Sequence, residues 1–423
     1  MRRSPALLLA TAALGAAALP ASAHAGSWSA SRAATSRGAA FEPSVAADAR
    51  GRLAVGWVRQ LGGRRRAEVR QGTLRGFLRG DANVLDRTPS NMDSVTVGFA
   101  RDGVLAVAWR RLADRAQRIH GATVSTGGST SGPFALTPEG NQSAYDPRLI
   151  AGADGSLRAV WARRTTSESA PVVGTSFGAP DSLPAPGNGA APAVAVDPAG
   201  TTVVAWAQGG RVLAAQAPAG GAFGPAAALT DFGYARDPQL AVTASGAVVA
   251  AWVANAGRGN AVIGAVRAPG RPLFGDGVRI AGEGARAFGP RIAATSAGEA
   301  LVAYVSSSSE RGFAHASGIV RMQRLDPDGR PLGAAPVRLS PDGARALAPA
   351  IAPDGAGGAI AGWTDVRAGR AVQVRRIARG GITGAVRTLG RGDTAASPAL
   401  AGAAGRAVAA WTAGERVRYS VYR

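Results

Sequence analysis

An aromatic residue recurs about every fifty positions along this chain, each time at the end of an apolar run. The eight are Trp57, Trp109, Trp161, Trp206, Trp252, Tyr304, Trp363 and Trp411, separated by 52, 52, 45, 46, 52, 59 and 48 residues. A period of that length narrows the fold to propellers and solenoids. One such unit cannot bury its own apolar face and has to stack on copies of itself.

The segments before the anchors align. Ala191 to Trp206 reads APAVAVDPAGTTVVAW, Asp237 to Trp252 DPQLAVTASGAVVAAW, Gly289 to Tyr304 GPRIAATSAGEALVAY, and Ser397 to Trp411 SPALAGAAGRAVAAW. Two short apolar runs flank a glycine-containing turn, the pattern of a β-hairpin. Runs such as Val203-Val204-Ala205-Trp206 are apolar at consecutive positions. A strand with one wet face alternates, whereas a strand covered on both faces need not. The strands are therefore expected to be sandwiched between neighbours.

A third run follows each hairpin, as at Val212–Gln216, Val262–Val266, Ile319–Leu325, Val372–Ile377 and Val417–Tyr422. A weaker fourth follows at Arg271–Ala281, Arg330–Ser340 and Gly380–Gly390. Four strands per repeat predict an all-β fold: a β-propeller of eight four-stranded blades, with seven as the alternative count. The last repeat stops after its third strand, while Gly26–Pro43 resembles the fourth-strand segment Gly221–Pro238. Residues near Trp28–Thr35 are thus expected to complete the last blade, which leaves no open edge.

Residues 1–25 have the order of a secretory signal: Arg2-Arg3, an apolar run from Leu7 to Leu19, then small residues that allow cleavage after Ala23 or Ala25. The expected organisation is a signal peptide over 1–25 and one propeller domain over 26–423. The product is expected to be secreted or extracytoplasmic, monomeric and without a membrane span. The chain has no cysteine, which rules out disulfides, thiolate nucleophiles and cysteine-ligated zinc. All 48 basic residues are arginine and the net charge is +21. Such a surface favours anionic partners. The arginines are spread over all repeats, however, as over-use of arginine and alanine in GC-rich coding would also leave them. The aromatics sit at the anchors rather than between basic residues, which argues against specific nucleic-acid binding.

Without lysine there is no phosphate-binding Walker loop and no Schiff-base lysine. Beyond residue 25 only His120 and His315 occur, so a multi-histidine metal site is not expected; both read as ordinary strand or loop residues. Asp326-Pro327-Asp328-Gly329 lacks the further acids of a calcium loop and reads as a β-turn. No metal and no cofactor is implied.

The remaining candidates are positional. The residues that open each innermost strand ring one mouth of a propeller channel: Glu42, Asp93, Asp146, Ala191, Asp237, Gly289, Ala348 and Ser397. Arg148, Arg236 and Arg291 lie close by in sequence, and Arg59, Arg110, Arg111, Arg163 and Arg164 follow the anchors. Carboxylates accept from sugar hydroxyls and arginine clamps anions in a fork. The candidate site is accordingly Glu42, Asp93, Asp146 and Asp237 with Arg148, Arg236 and Arg291. An acid before proline also starts turns and pairs with nearby arginine, so a purely structural role stands beside it.

The unit Asp197–Trp206 (DPAGTTVVAW) resembles the hairpins of secreted sialidase-like and lectin-like β-propellers. The resemblance is one of architecture and spans the chain after residue 25. The sialidase box runs Ser-x-Asp-x-Gly-x-Thr-Trp. Here the serine is absent, the gap from Asp197 to Gly200 is longer, and Trp206 falls later. No catalytic residue carries over. The resulting expectation is an exported, non-catalytic module that binds a glycan or another envelope component, such as an anionic envelope polymer. The alternative is a glycoside hydrolase or lyase using carboxylates at the channel mouth.

Overall fold

The computed structural model describes residues 26–35, 38–88, 90–113, 115–138, 142–186, 191–230, 233–255, 259–281, 286–307, 318–347, 349–367, 369–381, 383–392 and 398–423. The signal-like segment 1–25, His315, Ala348 and Ser397 lie outside them.

The described residues form eight antiparallel sheets, each four strands deep, which settles the blade count at eight. Blade one runs through Ala39–Ala47, Arg52–Leu61 and Arg64–Thr73; its fourth position is split between Phe77–Leu78 and Asn83–Asp86. Blade two is Met92–Phe99, Leu105–Ala113, Ala116–Val124 and Thr130–Ala135. Blade three is Ala144–Ala151, Leu157–Arg163 and Ser167–Val173, with Ser176–Phe177 and Asp181–Leu183 sharing the outer position. Blades four and five end in minimal outer strands, Ala227–Ala228 and Val278–Arg279. The first strand of each blade touches the first strand of the next, and that of blade eight, Ala399–Ala403, touches that of blade one, so the ring is closed.

Closure of the last blade follows the expected scheme. Its sheet runs Arg32–Ala33, Arg416–Tyr422, Arg406–Ala413, Ala399–Ala403. Arg32 pairs with Tyr419 and Trp28 with Tyr422. Ser29 N donates to Val421 O at 2.9 Å, and the Trp28 and Tyr422 rings lie 5.6 Å apart. The N-terminal strand thus covers the outer edge of a strand nearly four hundred residues away in sequence, the unpaired edge that otherwise templates aggregation.

The anchors hold the blades to one another. Trp57, Trp109, Trp161, Trp252 and Trp363 are wholly buried, and Trp206, Tyr304 and Trp411 no more than 5 % exposed. A buried tryptophan removes roughly 150–250 Å² from water, so each anchor dominates its interface. They stand inside the second strands rather than at their ends: blade one continues four residues past Trp57 to Leu61. Small residues flank them and let the blades approach; Gly56 lies against Val97 of blade two, which leaves no room for a Cβ.

Several turns between first and second strands use one device. The carboxylate of Asp197 accepts from the backbone N–H of Ala199 and Thr201, and that of Asp354 from Ala356 and Gly358. Aspartate bonding its own turn is the side-chain mimic of a backbone turn. The loop Asp326–Gly329 is a turn of the same kind, with Asp326 accepting from the amides of Asp328 and Arg330. Among the described residues no group of three or more His, Asp or Glu is placed to hold a metal ion, and no helix is long and apolar enough to cross a membrane.

Candidate functional site

The first strands of five blades carry a β-bulge at one common level. The bulged residues are Glu42, Ser94, Asp146, Asp237 and Gly289, with φ of 54°, 57°, 51°, 54° and 54°. Four of them precede a proline: Pro43, Pro147, Pro238 and Pro290. Proline has no N–H to give to a ladder and fits where the ladder is broken. In each blade the residue just before the bulge faces the one that follows the anchor: Phe41 with Val58, Asp93 with Arg110, Tyr145 with Ala162, Arg236 with Val253, Phe288 with Val305. The acids therefore ring one mouth of the channel. They lie within the strand, at the bulge, rather than ahead of it. One position shifts by a residue: the counterpart of Glu42 in blade two is Ser94, and Asp93 precedes it.

Around blades one to three the mouth is knitted together. Glu42 Oε2 accepts the backbone N–H of Ser94 at 2.5 Å, and Asp146 Oδ2 accepts that of Ala191 at 3.0 Å, so a bulge carboxylate caps the equivalent amide in the next blade. Arg110 makes a two-pronged pair with Asp93, at 2.6 and 2.5 Å, which raises its pKa above the ordinary arginine value. Arg148 donates to Asp146 at 2.6 Å. Glu42 reaches solvent, yet the protein massed around it pushes its carboxyl up. The Ser94 amide pulls back, Asp93 pushes up again, and Arg110 and Arg65 pull back more weakly.

Around blades three to six the mouth opens into a cavity of about 380 Å³. Arg148, Arg236, Asp237 and Arg291 line it together with Trp206 and Gln239. Arg148 and Arg291 stand two residues past their bulges in blades three and six, and converge across the mouth. Burial pushes the Arg291 guanidinium below its ordinary pKa and the neighbouring Arg148 pushes it further, with Asp237 and Asp146 pulling back. Among the described residues its one hydrogen bond is from Nη1 to the Pro290 carbonyl, 2.9 Å. Arg236 lies 3.6 Å from Asp237, whose side chain is 55 % exposed. Of the seven expected residues the fold thus gathers Asp146, Asp237, Arg148, Arg236 and Arg291 in one cluster. Glu42 and Asp93 belong to a second cluster at the same level, with Arg110.

Two of the arginines after the anchors, Arg59 and Arg163, serve a different purpose. Glu68 stands directly across from Trp57, accepts its indole N–H at 3.2 Å and pairs with Arg59 at 2.6 Å, all buried. Glu168 does the same in blade three, with Trp161 at 2.9 Å and Arg163 at 3.1 Å. In blade seven the uncharged Gln373 accepts from Trp363 at 2.9 Å. In blade two His120 holds this position, with its ring stacked 6.3 Å from Trp109. Burial and the nearby Arg111 lower its pKa to about 4. His120 is therefore neutral at pH 7 and packs as part of the blade. These facing residues escaped the sequence reading because the loop between second and third strands varies in length. The available signal was a single acid in the third strand, Glu68 in Arg64–Thr73 and Glu168 in Ser167–Val173.

These features define an eight-bladed β-propeller with an arginine-rich mouth. No family model and no curated protein matches the chain. Solved structures match at low identity. The BP39L lectin from Burkholderia pseudomallei aligns with TM-score 0.52 and 14 % identity over 84 % of this chain and all of that one. A PL25 ulvan lyase bound to -[GlcA(1-4)Rha3S]- aligns with TM-score 0.51 and 10 % identity over 77 % of this chain and 90 % of that one. A puromycin hydrolase aligns with TM-score 0.50 and 14 % identity over 89 % of this chain but only 59 % of its own length. At these identities the likeness is one of fold.

Proposed function

We propose that this chain is an exported carbohydrate-binding propeller that takes an acidic saccharide, or a similar anionic envelope polymer, at its channel mouth without turning it over. The observation that carries the reading is the convergence of Arg148 and Arg291 in a 380 Å³ cavity, where Arg291 meets only the Pro290 carbonyl among described hydrogen-bond partners. Two guanidiniums that repel one another in a partly dry site are stabilised by an anion between them, and arginine binds carboxylate and sulfate as a fork. Asp237, more than half exposed at the same cavity, accepts hydroxyls of the sugar ring. The lectin and lyase folds among the similar structures agree with a saccharide as ligand class, as does the sialidase-like hairpin Asp197–Trp206.

Binding is favoured over hydrolysis because three of the four mouth carboxylates are engaged, Asp93 with Arg110, Asp146 with Arg148 and the Ala191 amide, and Glu42 with the Ser94 amide, which leaves Asp237 as the one exposed acid. Glycosidases need two carboxyls free to act on the substrate, about 5–10 Å apart. One observation keeps the hydrolase or lyase alternative in view: Glu42 has a raised pKa beside Asp93, as a general acid would. A glycan array of the secreted protein, run beside a turnover screen on the same sugars, separates the two. Retention of uronate- or sulfate-bearing glycans without turnover is the expected outcome. Turnover that disappears in Glu42→Gln would replace it with the enzyme reading. N-terminal sequencing of exported material, expected to start at His24 or Gly26, tests the export step.

A further inference from the structure

Two arginines stack on a single phenyl ring where the propeller closes. Phe77 lies in the split outer strand of blade one, and the guanidinium carbons of Arg32 and Arg423 sit 3.7 and 3.8 Å from its ring centroid. Two planar groups that near one centroid would overlap on a single face, so they sandwich the ring. Arg32 belongs to the closing N-terminal strand, and Arg423 follows the third strand of blade eight, Arg416–Tyr422. Each of the three segments that meet at the seam thus supplies one group. Tyr419 meets the edge of the ring, 6.4 Å between centroids, and its hydroxyl accepts the N–H of Leu78 at 3.2 Å. The φ of Phe77 is 68°, which a bulky side chain adopts only at a cost. The ring is held against local preference, as a partition between two cations.

Cation–π attraction accounts for the stacking but leaves the donors unused. At these distances a guanidinium lies nearly flat on the ring, so its N–H groups point outward past the ring rather than into it. Both arginines are exposed, and neither has a carboxylate or a side-chain hydrogen-bond partner among the described residues. The surroundings carry the same sign. Arg75 and Arg79 of the same segment are exposed, and the Arg79 guanidinium lies against Gly76, the neighbour of Phe77. Arg70 donates to the Ala34 carbonyl of the closing segment at 3.2 Å. Of the two acids in this stretch, Asp86 is taken by Arg111, and exposed Asp81 forms no ion pair among the described residues.

We infer that the closure seam is a second anion site, where a linear chain places two neighbouring phosphate or sulfate groups, one at the fork of Arg32 and one at that of Arg423. Such a fork binds oxyanions through paired N–H donors. The ring keeps the two guanidinium carbons at most the sum of the two stacking distances apart and fixes them before a ligand arrives. A chain with one charge per fork therefore makes its second contact as an intramolecular step, at little ordering cost. A chain that bridges the two arginines also ties the closing strand to its partner, and binding the folded form alone raises stability. The site lies on the outer rim, separate from the mouth, and does not depend on the saccharide reading.

Calorimetric titration of the full-length secreted protein at physiological salt, with tripolyphosphate, with a disulfated disaccharide and with orthophosphate, tests it. Saturable binding of a two-group probe, at least about tenfold tighter than orthophosphate, is expected, and the tighter of the two names the source of the groups. Arg32→Gln and Arg423→Gln should each weaken that probe at least about tenfold and abolish the rise in melting temperature that it causes. Phe77→Leu keeps every charge and should still weaken it at least about threefold, because the forks are no longer held apart. Arg330→Gln, which removes an exposed arginine of blade six, and Arg291→Ala at the mouth should each leave it within about twofold. No preference for a two-group probe, full affinity in Phe77→Leu, or as large a loss in Arg330→Gln as in Arg32→Gln would each overturn the assignment. Loss in Arg291→Ala alone would place the chain at the mouth and overturn it too.

Discussion

Blades one and three differ from blades four and five at the residue that faces the anchor. In the first pair it is a glutamate, Glu68 or Glu168, which ties the indole to an arginine two positions past the anchor. In the second pair it is Leu213 or Ile263. There the Trp206 indole turns to Gln208 at 3.0 Å, and the Trp252 N–H is buried without a partner among the described residues. Both halves build the same four-stranded blade, so the charged lock is not what makes the fold. It closes the space around the anchor. The mouth cavity and a groove between the outer strands of blades four and five both border the blades that lack it. Apolar burial of the anchor suffices to close the ring.

The largest expected effect breaks the lock itself. Glu68→Ala leaves the buried Arg59 guanidinium and the Trp57 N–H without their acceptor, and losing one partner of a buried pair costs about 3–5 kcal/mol. Denaturant unfolding measures it; a loss below about 1 kcal/mol would mean that the lock is ornamental, as surface pairs are.

Blade two offers a titratable version of the same position. The depressed pKa of His120 means that the unfolded chain binds more protons between pH 6.5 and about 4. The stability from its neutral form is complete above pH 6.5 and is lost as pH falls toward 4. A shift of this size corresponds to about 3 kcal/mol at 1.36 kcal/mol per unit. His120→Gln copies Gln373 of blade seven and gives the Trp109 N–H, unpaired among the described residues, an acceptor. The variant should flatten the acid limb of the stability profile over that window. A limb as steep as in the parent would assign acid sensitivity to other groups.

The smallest effect separates anchors with and without a partner. Trp57→Phe and Trp252→Phe remove similar volume, but only the first deletes a made hydrogen bond, to Glu68. The Trp57 change is expected to be the worse by about 1–3 kcal/mol, since a bond to a charged acceptor is lost and that acceptor is left short. Equal melting temperatures would remove the distinction between the two halves.

The period, the strand count and the closing strand were legible because each rests on local pattern: the Trp anchors, paired apolar runs, and a fourth-strand segment displaced to Gly26–Pro43. The mouth was legible only to within a residue. Glu42, Asp146 and Asp237 announce their bulges by the proline that follows, whereas Ser94 is followed by Val95, and without that landmark Asp93 took its place. That Arg148 and Arg291 meet could not be read, since they are 143 residues apart and approach only across the closed ring. The seam site was hidden for a like reason. Arg32, Phe77 and Arg423 come from three segments that stack only once the ring has closed.

The most direct test of the account is calorimetric titration of the protein with a glucuronate-bearing oligosaccharide and with its neutral glucose counterpart, repeated with Arg291→Ala. The account predicts saturable binding of the acidic sugar that weakens with added salt, little or none of the neutral one, and at least a tenfold loss in Arg291→Ala at unchanged melting temperature. Equal affinity for the two sugars, or full affinity in Arg291→Ala, would contradict it.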